Sequence, residues 1–251
     1  MRIRKYLIGT ITCLVGVFAF SSVASAAVTA VNTTANITPA KQDKKVRGAA
    51  GVFFRSADTH AGFLPCPPGT GNTVDCAAYP PSVQTVITFT RDIKFTPGNL
   101  PDCNLSALSG KTTAGARAAC PGSIVGTGRN VNTTTQGQTL NGVITAFNGA
   151  PSGGNPSIYL HVDIAGVTTK PILNGVIRGN VLTVQIPPVP GTVIESFDTT
   201  IGKKVVGRKK GKRVYYFSAR CSRKRWNVAE TVIYQNGQQL SDTETSRCKQ
   251  K

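Results

Sequence analysis

Apolar residues along the chain alternate with polar ones instead of recurring every three or four positions, and a period of two marks a strand with one buried face. In "VQTVITFTRDIKFT", Val83, Thr85, Ile87 and Phe89 share a face, and the same parity continues beyond Arg91 through Ile93 and Phe95. "SIYLHVDI" repeats the pattern, with Ile158, Leu160, Val162 and Ile164 directed inward and Tyr159, His161 and Asp163 outward. "NVLTVQIPPVPG" ends in prolines that cannot donate to a ladder, which places its end at a sheet edge or corner. "VIESFDTTI", "RVYYFSA" and "RWNVAETVIY" add three more strands, and Asn236-Gly237, between "ETVIYQ" and "QQLSDTE", signals a hairpin. With 26 Gly, 15 Pro and no convincing amphipathic helix, the pattern predicts an all-β fold. The expected form is an antiparallel β-sandwich, immunoglobulin-like or jelly-roll-like, with a closed barrel as the alternative.

The N-terminus departs from this alternation. Arg2, Arg4 and Lys5 precede an apolar run from Tyr6 to Phe20 and a small-residue site, Ala24-Ser25-Ala26. That order reads as a secretory signal peptide over residues 1–26, cleaved after Ala26. The run is shorter than the roughly 20 residues of a spanning helix, and no later segment is apolar enough to cross a bilayer, so no transmembrane anchor is expected after cleavage. Cys13 is preceded by Thr12 and followed by more of the run, whereas a lipid-modified cysteine belongs at the run's end. Residues 27–48, rich in Thr, Asn, Ala and charge, read as a flexible lead-in to a single domain over residues 49–251.

Export changes the reading of the cysteines. Cys66, Cys76, Cys103, Cys120, Cys221 and Cys248 remain after cleavage, and an even number in a secreted chain argues for a disulfide-stapled fold. The sequence alone leaves the connectivity open; sequential pairing is preferred because it closes three short loops. No C-x-x-C pair is present, and no metal site is expected.

"LPDC" (Leu100–Cys103), "ACPGSIVGTG" (Ala119–Gly128), "VIRGNVLTVQIPPVPGTVIESFDTTIG" and "YYFSARCSRKRWNVAETVIYQNG", with Cys248 near the end, together resemble a group of secreted actinobacterial β-rich proteins of unknown function. The resemblance covers roughly Gln84 to Cys248. It implies an exported β-rich domain with Cys103 paired to Cys120 and Cys221 to Cys248. It implies no activity and no catalytic residues.

Candidate chemistry is sparse. The only histidines are His60, in the loop-like "SADTHAG" with Asp58 two residues earlier, and His161, with Asp163 on the same strand face. "APSGG" around Ser152 lacks G-x-S-x-G spacing, and "GTGNTV" and "GTGRNV" lack a third glycine and read as turns. Glu195 and Asp198 point to opposite faces of one strand, and Glu230 interrupts the apolar parity of Trp226, Val228, Val232 and Tyr234. A hydrolase acting on carbohydrate or ester, assembled from His161, Asp163 or Glu230, is therefore the secondary expectation. No catalytic residue is assigned and no cofactor is expected.

Charge is the more informative feature. The chain carries a formal net charge of +18, of which cleavage removes three positive charges. Between Asp198 and Glu230 stand eleven Lys or Arg and no acid, so the excess is local. Within this stretch Arg208, Lys209, Lys210, Lys212, Arg213, Arg223, Lys224 and Arg225 are the candidate binding residues. "GRKKGKR" reads first as a solvated hairpin tip whose charges guard an edge. It reads second as a docking surface for an anionic cell-envelope polymer or acidic polysaccharide. Tyr215, Tyr216 and Trp226 lie close by in sequence, but no nucleic-acid fold signature accompanies them, so specific nucleic-acid recognition is not expected. The sequence thus predicts a secreted, extracellular or cell-wall-associated module, binding or structural in role and non-enzymatic.

Overall fold

The computed structural model describes residues 27–61, 80–134 and 137–251. The signal-peptide segment with Cys13, the Cys66 and Cys76 pair and the "GTGNTV" stretch lie outside the described residues. In chain order the strands are β1 (Ala27–Thr38), β2 (Lys41–Gln42), β3 (Gly48–Ala49), β4 (Gly51–Ala61), β5 (Ser82–Phe89), β6 (Ile93–Phe95), β7 (Ile124–Thr134), β8 (Thr139–Ser152), β9 (Asn155–Ile164), β10 (Ile172–Arg178), β11 (Val181–Gln185), β12 (Thr192–Ile201), β13 (Val205–Lys209), β14 (Lys212–Tyr215), β15 (Phe217–Ala219), β16 (Arg225–Tyr234), β17 (Gln239–Arg247) and β18 (Lys249–Gln250). Two short helices, α1 (Leu105–Leu108) and α2 (Thr113–Ala119), interrupt them.

Eleven strands form one antiparallel sheet in the order β1-β4-β12-β7-β8-β9-β10-β11-β5-β16-β17. The first and last strands of that order lie against one another. Smaller ladders join β13 to β14, β15 to β3 and β6, and β18 to β2, the last of these parallel. The protein is therefore mostly antiparallel β, as the alternation predicted.

The segment read as a flexible lead-in is a correction: residues 27–38 form β1, paired with β4 along its whole length. Val28, Val31, Thr33, Ala35 and Ile37 are buried while Thr29, Asn32, Thr34 and Asn36 are exposed. The low hydrophobicity that suggested flexibility reflects small inward side chains. Ladder hydrogen bonds and close packing hold the strand in place of bulk.

One core collects apolar side chains from nearly the whole sheet, including Phe54, Phe89, Ile144, Leu160, Val184 and Trp226. At its edge Phe95 packs against Phe89, Tyr216 and Phe217 in edge-to-face pairs with centroids 5.1 to 6.3 Å apart. A second, smaller core lies on the other face of β8 and β9, where Leu108, Ala116, Cys103 and Cys120 cover Phe147 and Tyr159. This is why Tyr159 and His161 are buried rather than outward in solvent. The strand alternation holds, but the helical segment, capped by the Thr112 hydroxyl accepting from the Gly115 N–H, closes over that face. Cys103–Cys120 and Cys221–Cys248 are the two disulfides among the described residues, in agreement with sequential pairing.

Two further readings change. "GTGRNV" is not a turn but the middle of β7, where a Cβ on Gly126 or Gly128 would fall 2.3 Å from the Thr200 carbonyl oxygen or 1.9 Å from that of Asp198. Glycine is needed there because the β12 backbone comes that close. "NVLTVQIPPVPG" supplies β11, which is central, between β10 and β5; its prolines lie beyond the ladder.

The close approach generates a test. Gly128→Ala should cost about 2 kcal/mol or more by forcing β12 off β7, measured by urea unfolding. Gly202→Ala, whose Cβ meets nothing within 4 Å, should leave the midpoint almost unchanged. Equal effects would rule out the contact as the reason for glycine.

Candidate functional site

The basic stretch folds into a separate two-stranded hairpin. Lys209 pairs with Lys212 across a two-residue turn in which Lys210 and Gly211 both have positive φ, 49° and 76°. Both central residues of a type I′ turn require that conformation. The hairpin's base is anchored by Val206, 4% exposed, and by Tyr216, which follows β14 and is 1% exposed. Beyond it, Arg208, Lys209, Lys210, Lys212 and Arg213 are all exposed. β13 and β14 pair only with each other, so the charges also guard two open edges.

Arg223 and Lys224, on the loop leading into β16, and Arg225, its first residue, are likewise exposed. Among the described residues none of the eight candidate side chains has a hydrogen-bond or ion-pair partner. The two ion pairs among the described residues are Lys170–Asp163 at 2.7 Å and Arg220–Asp92 at 2.8 Å. Other cations of the stretch are committed to structure. The Lys204 Nζ donates to the Gly122 and Ile124 carbonyls at 2.7 and 2.5 Å, and Arg220 belongs to the Asp92 pair. Of the aromatic side chains that sequence places beside the charges, Trp226 is 0% exposed and Tyr216 belongs to the core, while Tyr215 at the end of β14 is half-buried.

The loop carrying Arg223 to Arg225 is tightly held. Asp92 Oδ1 accepts from Arg220 Nε, and Asp92 Oδ2 accepts from the Ser222 N–H and hydroxyl at 2.8 and 2.6 Å. Desolvation pushes the Asp92 carboxyl up, but these hydrogen bonds outweigh it and hold it below the usual range. Trp226 Nε1 donates to the Arg220 carbonyl at 2.7 Å, and the Cys248 N–H donates to the Lys224 carbonyl at 3.0 Å.

The acidic candidates sit elsewhere. Glu230 is 1% exposed and faces inward from β16 with Trp226, Val228, Val232 and Tyr234. Its Oε2 accepts from the Thr33 hydroxyl at 2.8 Å. On β4, the row Val52, Phe54, Ser56, Asp58 and His60 turns from apolar to polar along one face, and the Tyr234 hydroxyl donates to Asp58 Oδ1 at 2.8 Å. His60 is thus a strand residue, not a loop residue. Glu195, at a bulge in β12, accepts from the Thr133 hydroxyl. Asp58, Glu195 and Glu230 line one small cavity of about 40 Å³, room for a few waters at most and far below the roughly 300 Å³ at which ligand pockets begin. Desolvation pushes Glu230 up to about 7 and Asp58 up to about 6, against the hydrogen bonds they accept.

His161 and Asp163 are not part of that cavity. His161 is 0% exposed, and its Nε2 lies 2.8 Å from the Lys111 carbonyl oxygen, so this nitrogen carries the proton. Burial pushes the ring below its ordinary pKa. Asp163 accepts from the Thr113 N–H at 2.7 Å and pairs with Lys170. Both residues serve the helical cover, on the opposite face of the sheet from Glu230. The structure therefore does not assemble the three residues into one hydrolytic centre. Among the described residues no group of three His, Cys, Asp or Glu is placed to hold a metal ion, and no helix is long and apolar enough to cross a membrane.

Comparison with protein-family models, curated proteins and solved structures finds no match to this chain.

The buried carboxyls make stability depend on pH. Glu230 and Asp58 hold a proton more tightly folded than unfolded, so their contribution is fully present below the unfolded carboxyl range near pH 4 and is lost as pH rises through about 6 to 7. His60 and His161, depressed by burial, act in the opposite sense below about pH 6.5. The difference between wild type and Glu230→Gln isolates the carboxyl. The variant's thermal midpoint should rise relative to wild type between about pH 4.5 and 7 and level off above, and a constant difference across that range would show that Glu230 does not titrate there.

Proposed function

We propose that this chain is an exported, non-enzymatic β-sandwich module that contacts anionic polymers of the cell envelope through its exposed basic side chains. The observation that carries the reading is the set of eight exposed Lys and Arg between Arg208 and Arg225 that have no side-chain partner among the described residues. Charges of one sign concentrated on one segment attract polyanions strongly at low salt and weakly at high salt. The two disulfides support export, since such bonds persist in oxidising compartments. A continuous sheet whose strands contribute to one shared core supports a sheet folded over on itself, the layered arrangement of a sandwich. The edge-guarding role of the hairpin is compatible with docking, because both need the charges solvated.

Expressed in an exporting host, the mature protein should begin at Ala27 by N-terminal sequencing. It should co-sediment with purified cell envelope at low salt and be released as salt rises. A variant with Arg208, Lys209, Lys210, Lys212 and Arg213 changed to Ser or Gln should lose most of that binding. Equal sedimentation of both proteins, or of neither, would leave the hairpin as a solvated turn only.

A further inference from the structure

An open concavity of about 620 Å³ is lined by Arg223, Lys224, Arg225, Arg247 and Lys249, together with Thr245 and Cys248. Its cations come from three places in the chain: the loop before β16 with that strand's first residue, the end of β17, and β18. Arg225 and Arg247 are directly opposite each other in the β16–β17 ladder, and Lys249 is opposite Lys41 in the β18–β2 pair. Like charges facing one another across strands repel, and no acidic side chain lines the concavity to relieve them. The backbone beneath is rigid: Cys221–Cys248 ties the loop to the C-terminal strand, Gln250 Nε2 donates to the Cys221 and Ser222 carbonyls at 3.0 and 3.2 Å, and Lys224 is held at φ 59°. A non-glycine residue held in that conformation by its surroundings costs energy that the fold retains.

We infer that this concavity is a preorganised site for the phosphate groups of an aliphatic phosphodiester polymer of the envelope. Three of its five cations are arginines, whose planar forks match phosphate oxygens bidentately. A phosphate seated between Arg225 and Arg247 converts their repulsion into attraction. A nucleic acid is a poorer fit, because Trp226 is buried beneath the strand and no aromatic side chain lines the site for bases to stack on. A lipid surface is also a poorer fit, because no large apolar side chain borders the site to enter the acyl region. The inference deepens the envelope-binding reading and rests on it. It moves the specific contact from the hairpin, which attracts from a distance, to the stapled loop, which grips.

The test is calorimetric titration of the protein, disulfides intact, with poly(glycerol phosphate) over a salt series, beside polygalacturonate, oligothymidylate and phosphatidylglycerol vesicles. Two variants are compared: Arg225→Gln/Arg247→Gln/Lys249→Gln in the concavity, and Gln at Arg208, Lys209, Lys210, Lys212 and Arg213 in the hairpin. Wild type should favour poly(glycerol phosphate) over the other three. The concavity variant should lose at least tenfold in affinity and that preference, while the hairpin variant binds more weakly but keeps it. The concavity variant's thermal midpoint without ligand should equal or exceed that of wild type, since a repulsion has been removed; a lower midpoint would overturn the argument from opposed charges. If only the hairpin variant loses binding, the envelope reading stands and the concavity falls. If the carboxylate polymer, the oligonucleotide or the vesicles bind as well or better, the phosphodiester assignment falls. If wild type binds none of the four, both readings fall.

Discussion

Contact between β1 and β17, the two edge strands of the eleven-stranded sheet, is the constraint on which the rest of the architecture depends. No ladder joins these strands, so their facing backbone groups need other partners. Side chains supply them: the Thr33 N–H donates to Asp242 Oδ2 at 2.7 Å, and Gln238 Nε2 donates to the Val28 carbonyl at 2.7 Å. One strand further in, the Thr33 hydroxyl reaches Glu230. A backbone ladder would have demanded a register between the two edges, whereas side-chain bridges tolerate a mismatch and still satisfy the donors. Their cost is carboxylate close to a low-dielectric interior, which is why the Glu230 and Asp58 pKa values rise.

The opposite requirement governs the loop between Ala219 and Arg225. Here the chain must hold exposed charge in a fixed shape, and it does so from beneath. Asp92, the indole N–H of Trp226, the Cys221–Cys248 bond and the β2–β18 pair all act on the backbone or on Arg220 and Ser222. None of them neutralises Arg223, Lys224 or Arg225. Rigidity and charge are thus separated between buried and exposed groups, so the side chains meeting solvent lose little further backbone freedom on binding.

The strands were legible because alternation reports directly on a half-buried ribbon, and the two described disulfides followed from short spacings. What escaped was whatever depended on a distant segment. The outward parity of Tyr159 and His161 was correct, but burial of that face depends on α2, a seven-residue, alanine-rich helix too short for a periodic signal. β1 was missed because Thr33 and Ala35 fill the middle of its inward row, between Val31 and Ile37, and dilute the contrast with the outward Thr and Asn. Its partner β4 supplies the evidence. The basic candidates were visible as a run of charge, yet Arg247 and Lys249 were not, because only the β16–β17 and β18–β2 ladders bring them beside Arg225 and Lys41. Glu230 stood out as a break in parity, and the seam explains why it is tolerated.

The positive surface follows from how the few acids are used. Asp43 accepts the Lys45 and Val46 N–H groups, Asp92 fixes Arg220 and Ser222, and Asp102 accepts from Asn148. Asp163 caps α2, Asp198 accepts the Arg129 N–H, and Asp242 bridges the seam. Asp58, Glu195 and Glu230 line the interior cavity. Ionised carboxylates are acceptors only, so a β protein with open edges and turns to secure has ready uses for them at backbone N–H groups. Once committed there, they are poorly placed to screen lysines and arginines on a hairpin tip or around a stapled loop. Exposed cations without counter-charges lose little solvation and so cost the fold little, but their fields add. The commitment of most acids to structural hydrogen bonds, while the hairpin and stapled-loop cations stay in solvent, is therefore sufficient to create a locally positive surface. At the stapled loop the directly opposed Arg225 and Arg247 concentrate that field further.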